Sequence, residues 1–354
     1  MKNVLVLSPY DALSHCYWRE GLAAAMPEWD ITAVSLPPRH FSWRVRGNSL
    51  TLSQRPEFAR PWDAVIATSM TDLSALRGLA PGIAACPNIV YFHENQFAYP
   101  PDRGEPAHRV ERQITSIYTA LAADHVVFNS DYNRRTCLEG ARELLARMPD
   151  GVPAGTVERI ARVSRVLPVP LTDDCFAADP AKHAGDAHIV WNHRWEFDKG
   201  PGDLLTIVDG LLAAEVRFVF HLVGQPFREV PAPIREALAR LAAAGRLGSE
   251  GFLPRTEYLD VLARSHVVLS TAQHEFQGLA VLEAMASGCW PLVPNRLAYP
   301  EFVPQASLYA DADDAIARLI AICQQVNEGV VPGPVDVSAL RWPAQRADWL
   351  AMVE

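Results

Sequence analysis

Short apolar runs alternate with amphipathic segments along the chain, and this alternation limits the possible folds more than any other feature of the sequence. In the first half, five apolar runs predict buried strands, at Val4–Leu7, Ile31–Leu36, Ala64–Ala67, Ile89–Phe92 and Val126–Asn129. Amphipathic segments that favour helices, such as Arg109–Ala123 and Tyr132–Arg147, lie between or after several of these strands. Such an alternation is typical of a parallel sheet with helices on both faces.

The same pattern stops once and then starts again. A stretch that contains proline and aspartate, Pro168 to Asp186, predicts a linker. Four further strands are predicted after it, at His188–Asn192, Phe218–Val223, Val267–Thr271 and Trp290–Pro294. We therefore expect an α/β protein with two Rossmann-like, doubly wound domains, residues 1–170 and 186–335, that face each other across a cleft and bind ligands at the carboxyl ends of their strands. The last segment, residues 336–354, is expected to form a helix that packs back across the join.

Composition limits the class of protein. With 354 residues, 49% of them hydrophobic, the chain can bury two cores of ordinary size. No apolar run reaches the ~18 residues of a membrane span, and the first eight residues are too short for a signal peptide, so we expect a soluble, cytoplasmic protein. The six cysteines form no C-x-x-C pair, which favours reduced, buried thiols over disulfides or a metal site.

Two glutamates with seven residues between them, Glu275 and Glu283, carry the strongest functional signal. They lie around a predicted helix start after Gly278, where the free backbone N–H groups of Gly278, Leu279 and Ala280 favour a phosphate. Because carboxylates accept hydrogen bonds from vicinal hydroxyls, one glutamate suits a sugar and the other a ribose, which together describe a sugar nucleotide. The spacing alone fits an ordinary amphipathic helix equally well, with Glu283 merely solvated.

A second group of charges changes that balance. The strand at His188–Asn192 leads into a loop that carries Arg194 and, after four residues, Lys199. Two cations at the carboxyl end of a strand, just before a helix that begins near Pro201, are suited to a pyrophosphate leaving group. Taken alone, this loop would be interpreted as surface cations that balance two neighbouring acids.

These motifs resemble those of the retaining GT-B glycosyltransferases of the family 4 type. The shared pattern is Arg194-x-x-x-x-Lys199-Gly200, then Gly251-Phe-Leu-Pro254 before a helix, then Glu275-x-x-Gly278-x-x-x-x-Glu283. More narrowly, five runs resemble the tRNA-queuosine α-mannosyltransferases, at Leu36–Gly47, Tyr91–Gln96, Phe128–Ser130, Trp191–Lys199 and His274–Gly278. The resemblance extends from about Val4 to about Phe302 and follows the order of the family's motifs.

The resemblance implies transfer of mannose from GDP-mannose to a hydroxyl of the queuosine cyclopentenediol in a tRNA anticodon, with retention of the anomeric configuration. Arg194 and Lys199 would hold the pyrophosphate, Glu275 the mannose hydroxyls and Glu283 the ribose. The remaining predicted donor contacts are Leu253, Gly278, Leu279 and Ala280. Since the two cations and the helix dipole neutralise the departing diphosphate, we expect no divalent metal and no other cofactor. The acidic pair Asp311-Ala-Asp313 is interpreted as the start of a helix over residues 312–326.

On the acceptor side, the resemblance implies that His93 contacts the sugar or its acceptor, while Glu94 and Asn95 shape the acceptor site. From the residues alone, a histidine after a strand is more often structural. The loop after the first strand lacks the glycine pair of many family 4 enzymes. Ser14 and His15 are therefore candidate contacts there, and the alternative for Ser14 is an ordinary helix N-cap.

Charge argues against a protein that grips RNA nonspecifically, since the net charge is −9 and the sequence pI about 5.7. Three basic patches in the first half favour tRNA nevertheless. The first contains Arg39, His40, Trp43, Arg44 and Arg46; the second Arg103, His108, Arg109 and Arg112; the third Arg134 and Arg135. Phosphate contacts and stacking of an unpaired anticodon base on Trp43 or Phe41 are physically reasonable, although each patch alone also fits a solvated face.

Two alternatives stay open. One is a GT-B glycosyltransferase with another nucleotide sugar and a saccharide, lipid or small-molecule acceptor. The other is a non-catalytic module that binds RNA or nucleotides. Four charged residues argue against the module, because a binder without activity would not require all of Arg194, Lys199, Glu275 and Glu283.

Overall fold

The computed structural model describes residues 1–99, 107–176, 182, 184–226 and 229–353, without the side chains of residues 107 and 108. Arg103, the side chain of His108 and most of the second half of the predicted linker lie outside the described residues. The chain divides into two compact units. The first contains residues 1–170 and 342–354, and the second contains residues 171–341.

The first unit is built on a sheet of six parallel strands in the order β2-β1-β3-β4-β5-β6. The strands are β1 (Lys2–Ser8), β2 (Trp29–Ser35), β3 (Ala64–Thr68), β4 (Asn88–Phe92), β5 (His125–Phe128) and β6 (Ser164–Val166). The inner strands are buried on both faces, which explains why they read as unbroken apolar runs. All five predicted strands are confirmed, whereas β6 was not predicted because Ser-Arg-Val is short and polar.

Six helices of the first unit precede the second unit in the chain. They are α1 (Leu13–Ala25), α2 (Phe41–Ser53), α3 (Leu73–Leu79), α4 (Ala107–Ala122), α5 (Asp131–Leu145) and α6 (Thr156–Arg162). Two of them begin at side chains that accept a backbone N–H, Asp72 for α3 and Ser130 for α5, so local capping sets where these helices start.

The second unit repeats the architecture with strands in the order β12-β11-β10-β7-β8-β9. The strands are β7 (Ala187–Trp191), β8 (Phe218–Val223), β9 (Leu247–Gly251), β10 (Val267–Leu269), β11 (Trp290–Pro294) and β12 (Leu308–Tyr309). The helices are α7 (Pro201–Ala213), α8 (Ala232–Ala243), α9 (Arg255–Arg264), α10 (Leu279–Ala286), α11 (Tyr299–Phe302) and α12 (Ala312–Asn327). Strand order reverses between β7 and β10, so the crevice at their carboxyl ends is the expected ligand site.

The last helix, α13 (Trp342–Val353), belongs to the first unit although it follows the second in the chain. Its Trp349 ring lies 5.8 Å from the ring of Trp18 on α1. Gly21 faces the same helix, because a Cβ atom there would stand 2.6 Å from the Trp342 indole nitrogen. The expected C-terminal helix is therefore present and packs on α1.

Asp311 caps α12, since its carboxylate accepts the Asp314 N–H at 3.0 Å, which confirms its interpretation as a helix start. None of the helices in the described part of the chain is long and apolar enough to cross a membrane.

Candidate active site

Lys199 lies in the loop after β7, near the crevice where the strand order of the second unit reverses. A tight turn at the next residue fixes this loop. Gly200 has φ 65°, and a Cβ atom there would stand 2.0 Å from the Thr271 carbonyl oxygen, so only glycine fits. The Thr271 hydroxyl donates to the Lys199 carbonyl at 2.7 Å. These contacts join the loop after β7 to the loop after β10.

Lys199 is 7% exposed, and its ammonium has an acceptor for each of its three N–H bonds. It lies 2.8 Å from the His274 carbonyl oxygen, 3.3 Å from Glu275 Oε2 and 3.2 Å from Asp198 Oδ2. Burial and the Arg194 charge lower the pKa of Lys199, but the two carboxylates raise it by more than this, so the pKa lies above its ordinary value. The ammonium is therefore charged.

Glu275 lies in the loop between β10 and α10, as predicted. Its Oε2 atom faces Lys199, while Oε1 accepts the Phe276 N–H at 3.1 Å. Burial would raise the pKa of Glu275, but Lys199 and the neighbouring histidines bring it down to about 2. The carboxylate is therefore ionised and can only accept hydrogen bonds.

The helix α10 begins where the sequence predicts. Gly278 precedes it with φ 87°, and a Cβ atom there would stand 2.9 Å from the Tyr299 ring. Since Gly278 has no side chain to cap the helix, the N–H groups of its first turn, including those of Leu279 and Ala280, have no intrahelical acceptor. This helix start, next to Glu275, can bind a phosphate.

Arg194 lies on the same loop as Lys199. Its guanidinium pairs with Glu196 at 2.9 Å and is about half exposed. The charge of Arg194 lowers the pKa of Lys199. The two predicted cations thus lie at the same end of β7, one buried and one open to solvent.

His193 was missed by the sequence analysis. Its Nε2 atom lies 2.8 Å from the Ser270 hydroxyl, which lies 2.6 Å from the Tyr299 hydroxyl. Burial and then the Lys199 charge lower the pKa of His193 to about 4, so the ring is neutral. The one feature of the sequence that could have indicated His193 is its position next to the predicted Arg194. His193 stabilises the site because it joins the loop after β7 to Ser270 and, through Ser270, to Tyr299 of α11.

Glu283 lies one turn into α10 and is 7% exposed. Arg255 donates to its Oε1 atom at 2.7 Å and the Tyr258 hydroxyl to its Oε2 atom at 3.1 Å. Burial raises the pKa of Glu283, and the Arg255 charge opposes that rise. Arg255 was also missed, although it directly follows the Gly251–Pro254 motif. Leu253 of that motif is partly buried at the start of α9.

A second charged group lies in the first unit, at the carboxyl ends of β1 and β4. His15 Nδ1 lies 2.8 Å from the Tyr10 carbonyl oxygen, and Nε2 lies 3.3 Å from Glu94 Oε2. A carbonyl oxygen and a carboxylate oxygen are both acceptors, so this arrangement favours the protonated ring. Burial lowers the pKa of His15, but Glu94 raises it more, which agrees with this state.

His93 lies against the His15 ring. Its ring stacks on His15 with 4.2 Å between centroids and stands 4.7 Å from Tyr91 and 5.1 Å from Trp18. Burial and then His15 hold the pKa of His93 well below its usual range. His93 is 6% exposed, and its Nε2 atom has no hydrogen-bond partner among the described residues. A neutral nitrogen in this state is suited to bind a hydroxyl.

Ser14 and Asn95 are both predicted on the acceptor side, but one is exposed and the other is buried. Ser14 is exposed in the first turn of α1, and the N-cap of that helix is Ala12, so the alternative of Ser14 as an N-cap is wrong. Asn95 is fully buried, where its amide donates to Asn133 and Thr136 and its oxygen accepts two backbone N–H groups. Asn95 therefore shapes the loop after β4 from inside.

The first basic patch is partly committed to internal contacts. Arg44 donates to the Pro9 carbonyl at 3.0 Å, and Arg46 pairs with Asp72 at 2.9 Å while about half exposed. The Trp43 ring is 57% exposed. Trp43 is thus the member of the patch with the most surface for stacking.

No group of three or more histidine, cysteine or acidic side chains within the described ranges is arranged to hold a metal ion.

Comparisons with solved structures place the chain among GT-B glycosyltransferases by fold. HepE from Anabaena, in complex with UDP and glucose, has a TM-score of 0.67 at 14% identity, over 99% of this chain and 100% of that chain. Sucrose-phosphate synthase from Thermosynechococcus elongatus has a TM-score of 0.65 at 14% identity, over 100% and 96%. The family model "Glycosyl transferases group 1" matches residues 176–322. The protein is a glycosyltransferase.

A second family model, "tRNA-queuosine alpha-mannosyltransferase N-terminal", matches residues 3–171. The tRNA-queuosine alpha-mannosyltransferase of Drosophila melanogaster is 33% identical over 331 residues, which cover 91% of this chain and 87% of that protein. The chain belongs to the tRNA-queuosine alpha-mannosyltransferase family, and the resemblance found in the sequence is confirmed.

Proposed function

We propose that this protein transfers mannose from GDP-mannose to a hydroxyl of the queuosine cyclopentenediol in a tRNA anticodon, with retention at the anomeric carbon. The observation that carries the proposal is the contact between Lys199 and Glu275 beside the open start of α10. A cation, an ionised acceptor and a helix N-terminus together suit a sugar diphosphate. The name of the Drosophila relative supports mannose as the sugar and queuosine tRNA as the acceptor.

The donor is held in the second unit by charge. Lys199, Arg194 and the helix dipole of α10 neutralise the diphosphate as it leaves. Glu275 accepts hydrogen bonds from the mannose hydroxyls, and Glu283 accepts them from the ribose. Glu275 must release Lys199 for this, because a diphosphate oxygen takes the N–H that the carboxylate holds in the free protein.

The reaction needs no nucleophile from the protein. The acceptor hydroxyl attacks the anomeric carbon on the face that the diphosphate leaves, and a diphosphate oxygen takes its proton. Catalysis then rests on positioning and on charge stabilisation. His93, a neutral ring with a buried Nε2 atom that has no partner among the described residues, binds a hydroxyl of the sugar or the acceptor. The same scheme uses no divalent metal. With tRNA as the acceptor, it favours a cytoplasmic location.

An assay of nucleotide release tests the proposal. The purified protein is incubated with GDP-mannose and with each of several UDP-sugars, and with tRNA that either contains or lacks queuosine. We expect free GDP to accumulate only with GDP-mannose and queuosine-containing tRNA, and addition of EDTA to leave the rate unchanged. Equal release with both tRNA samples would exclude queuosine as the acceptor. Release of UDP in place of GDP would favour the alternative function, a glycosyltransferase with a different donor.

A further inference from the structure

Arg255, the first residue of α9, joins Glu283 to the chain segment that precedes β7. Its Nη1 atom donates to Glu283 Oε1 at 2.7 Å. Its Nε and Nη2 atoms donate to the two carboxylate oxygens of Asp174 at 2.8 and 3.0 Å. Nη2 also lies 3.0 Å from the Cys175 sulfur and 3.3 Å from the Thr172 hydroxyl. Because its contact with Asp174 is bidentate, the guanidinium has a fixed position.

The other oxygen of Glu283 is fixed by a chain of donors. The Asn192 amide donates to the Tyr258 hydroxyl at 2.9 Å, and that hydroxyl donates to Glu283 Oε2 at 3.1 Å. The same amide donates to the Ala280 carbonyl in the first turn of α10 at 2.8 Å. Each oxygen of Glu283 therefore has a fixed strong donor. A carboxylate has about four acceptor positions, and the Cys175 thiol also donates to Oε1 at 3.6 Å, so one position remains on Oε2 and the weak thiol contact is the one that a second hydroxyl can displace.

Arg255 is also the counter-charge of Glu283. It is the one cation within salt-bridge distance of that carboxylate among the residues that the structure describes. The other titratable groups in contact are neutral or nearly so, since burial raises the pKa of the Cys175 thiol to about 12 and raises that of Tyr258 well above its usual range. Asp174 is negative, but it faces Arg255 and not Glu283.

We infer that Arg255 is a positioning residue for the ribose of the nucleotide sugar: it holds Glu283 ionised and in the one orientation in which the carboxylate accepts from the ribose hydroxyls. Arg255 acts through Glu283, because its Nε and Nη2 groups are held by Asp174 and its neighbours and its Nη1 group donates to Glu283. The inference rests on the proposed function, which assigns Glu283 to the ribose. It extends that function to a residue outside the two glutamates and two cations of the sequence motif.

The test compares GDP with 2′,3′-dideoxy-GDP, which lacks both ribose hydroxyls, by isothermal titration calorimetry. We expect the wild-type protein to bind GDP at least tenfold more tightly than the dideoxy form. Arg255→Gln should lower this ratio to about one while leaving the affinity for the dideoxy form unchanged, and Arg255→Lys should restore part of the ratio. Arg217→Gln, which removes an exposed arginine that pairs with Asp186, is the matched control and should keep the full ratio.

The outcomes separate the inference from the proposed function. Arg255→Gln with an undiminished ratio would overturn the inference, and so would an equal loss of affinity for both nucleotides, or a wild-type ratio of one. Wild-type protein that binds UDP but not GDP would overturn the GDP-sugar donor, and the comparison then uses UDP and 2′,3′-dideoxy-UDP. If Arg255→Gln does not fold, Tyr258→Phe removes the second donor to Glu283 and keeps the ring. Its ratio must fall for the inference to hold.

Discussion

Replacing Glu275 by glutamine should slow transfer and, at the same time, tighten the binding of GDP without sugar. In the free protein, Glu275 Oε2 holds one of the three Lys199 N–H bonds at 3.3 Å, which is the longest of the three contacts. A diphosphate oxygen must displace this carboxylate to reach the ammonium. The glutamine amide occupies the same space, but it holds Lys199 less strongly.

The size of the effect follows from the bond that the diphosphate displaces. Hydrogen bonds to charged groups contribute about 1.5–3 kcal/mol; the contact between Lys199 and Glu275 joins two charges and belongs at the upper end, whereas a contact between Lys199 and glutamine has one charge and belongs at the lower end. The difference is about 1–1.5 kcal/mol, and 1.4 kcal/mol corresponds to tenfold in affinity, so the Kd for GDP should fall roughly five- to tenfold. Transfer should slow by about 10²–10³-fold, the usual loss when one polar contact to the reacting centre is removed.

Titration calorimetry with GDP and a transfer assay measure the two effects separately. Glu250→Gln is the matched control, because Glu250 is an exposed acid at the edge strand β9 of the same unit. It should change neither the Kd nor the rate. An unchanged or weaker affinity of Glu275→Gln for GDP would refute the idea that the carboxylate occupies the place of the diphosphate.

Three further changes test the structure elsewhere. Lys199→Met leaves two buried carboxylates without their cation, and should lower the free energy of unfolding by roughly 3–5 kcal/mol in urea denaturation; a loss below 1 kcal/mol would contradict the buried pair. The pKa of Glu275 is lowered from 4.5 to about 2, so its stabilising contribution is complete above pH 4.5 and is lost as the pH falls towards 2. Glu275→Gln should flatten thermal stability in that window relative to wild type, and parallel curves would argue against the shift. Gly21→Ala should destabilise by roughly 1–3 kcal/mol through contact with Trp342, whereas Gly78→Ala, which meets nothing within 4 Å, should not, and equal Tm values would contradict the packing of the last helix.

The sequence predicted the parts of the fold that local pattern determines. Strands such as β3 and β4 are buried on both faces and therefore read as apolar runs. The strands β6, β9 and β12 escaped prediction, because they are short or, like Leu247–Gly251, contain polar residues and glycine. Edge strands of this kind are specified by their neighbour in the sheet and not by their own composition.

The site shows the same division. Lys199, Glu275 and the start of α10 were predicted because each lies at a fixed distance from a glycine within one motif. The contacts that set their chemistry were not, since they join residues far apart in the chain. His15 and Glu94 are separated by 79 positions, and Arg255 lies 28 positions from Glu283. Such pairs depend on tertiary structure, which a single sequence does not show.

The most direct test of the central claim is the mass of queuosine after reaction. Queuosine-containing tRNA is incubated with the protein and GDP-mannose, digested to nucleosides and examined by mass spectrometry, with Lys199→Met as the inactive control. The account predicts that queuosine gains the mass of one hexose in the wild-type reaction alone, and that an α-mannosidase, but not a β-mannosidase, removes it. Queuosine of unchanged mass, with hexose found on another nucleoside or on none, would contradict the account.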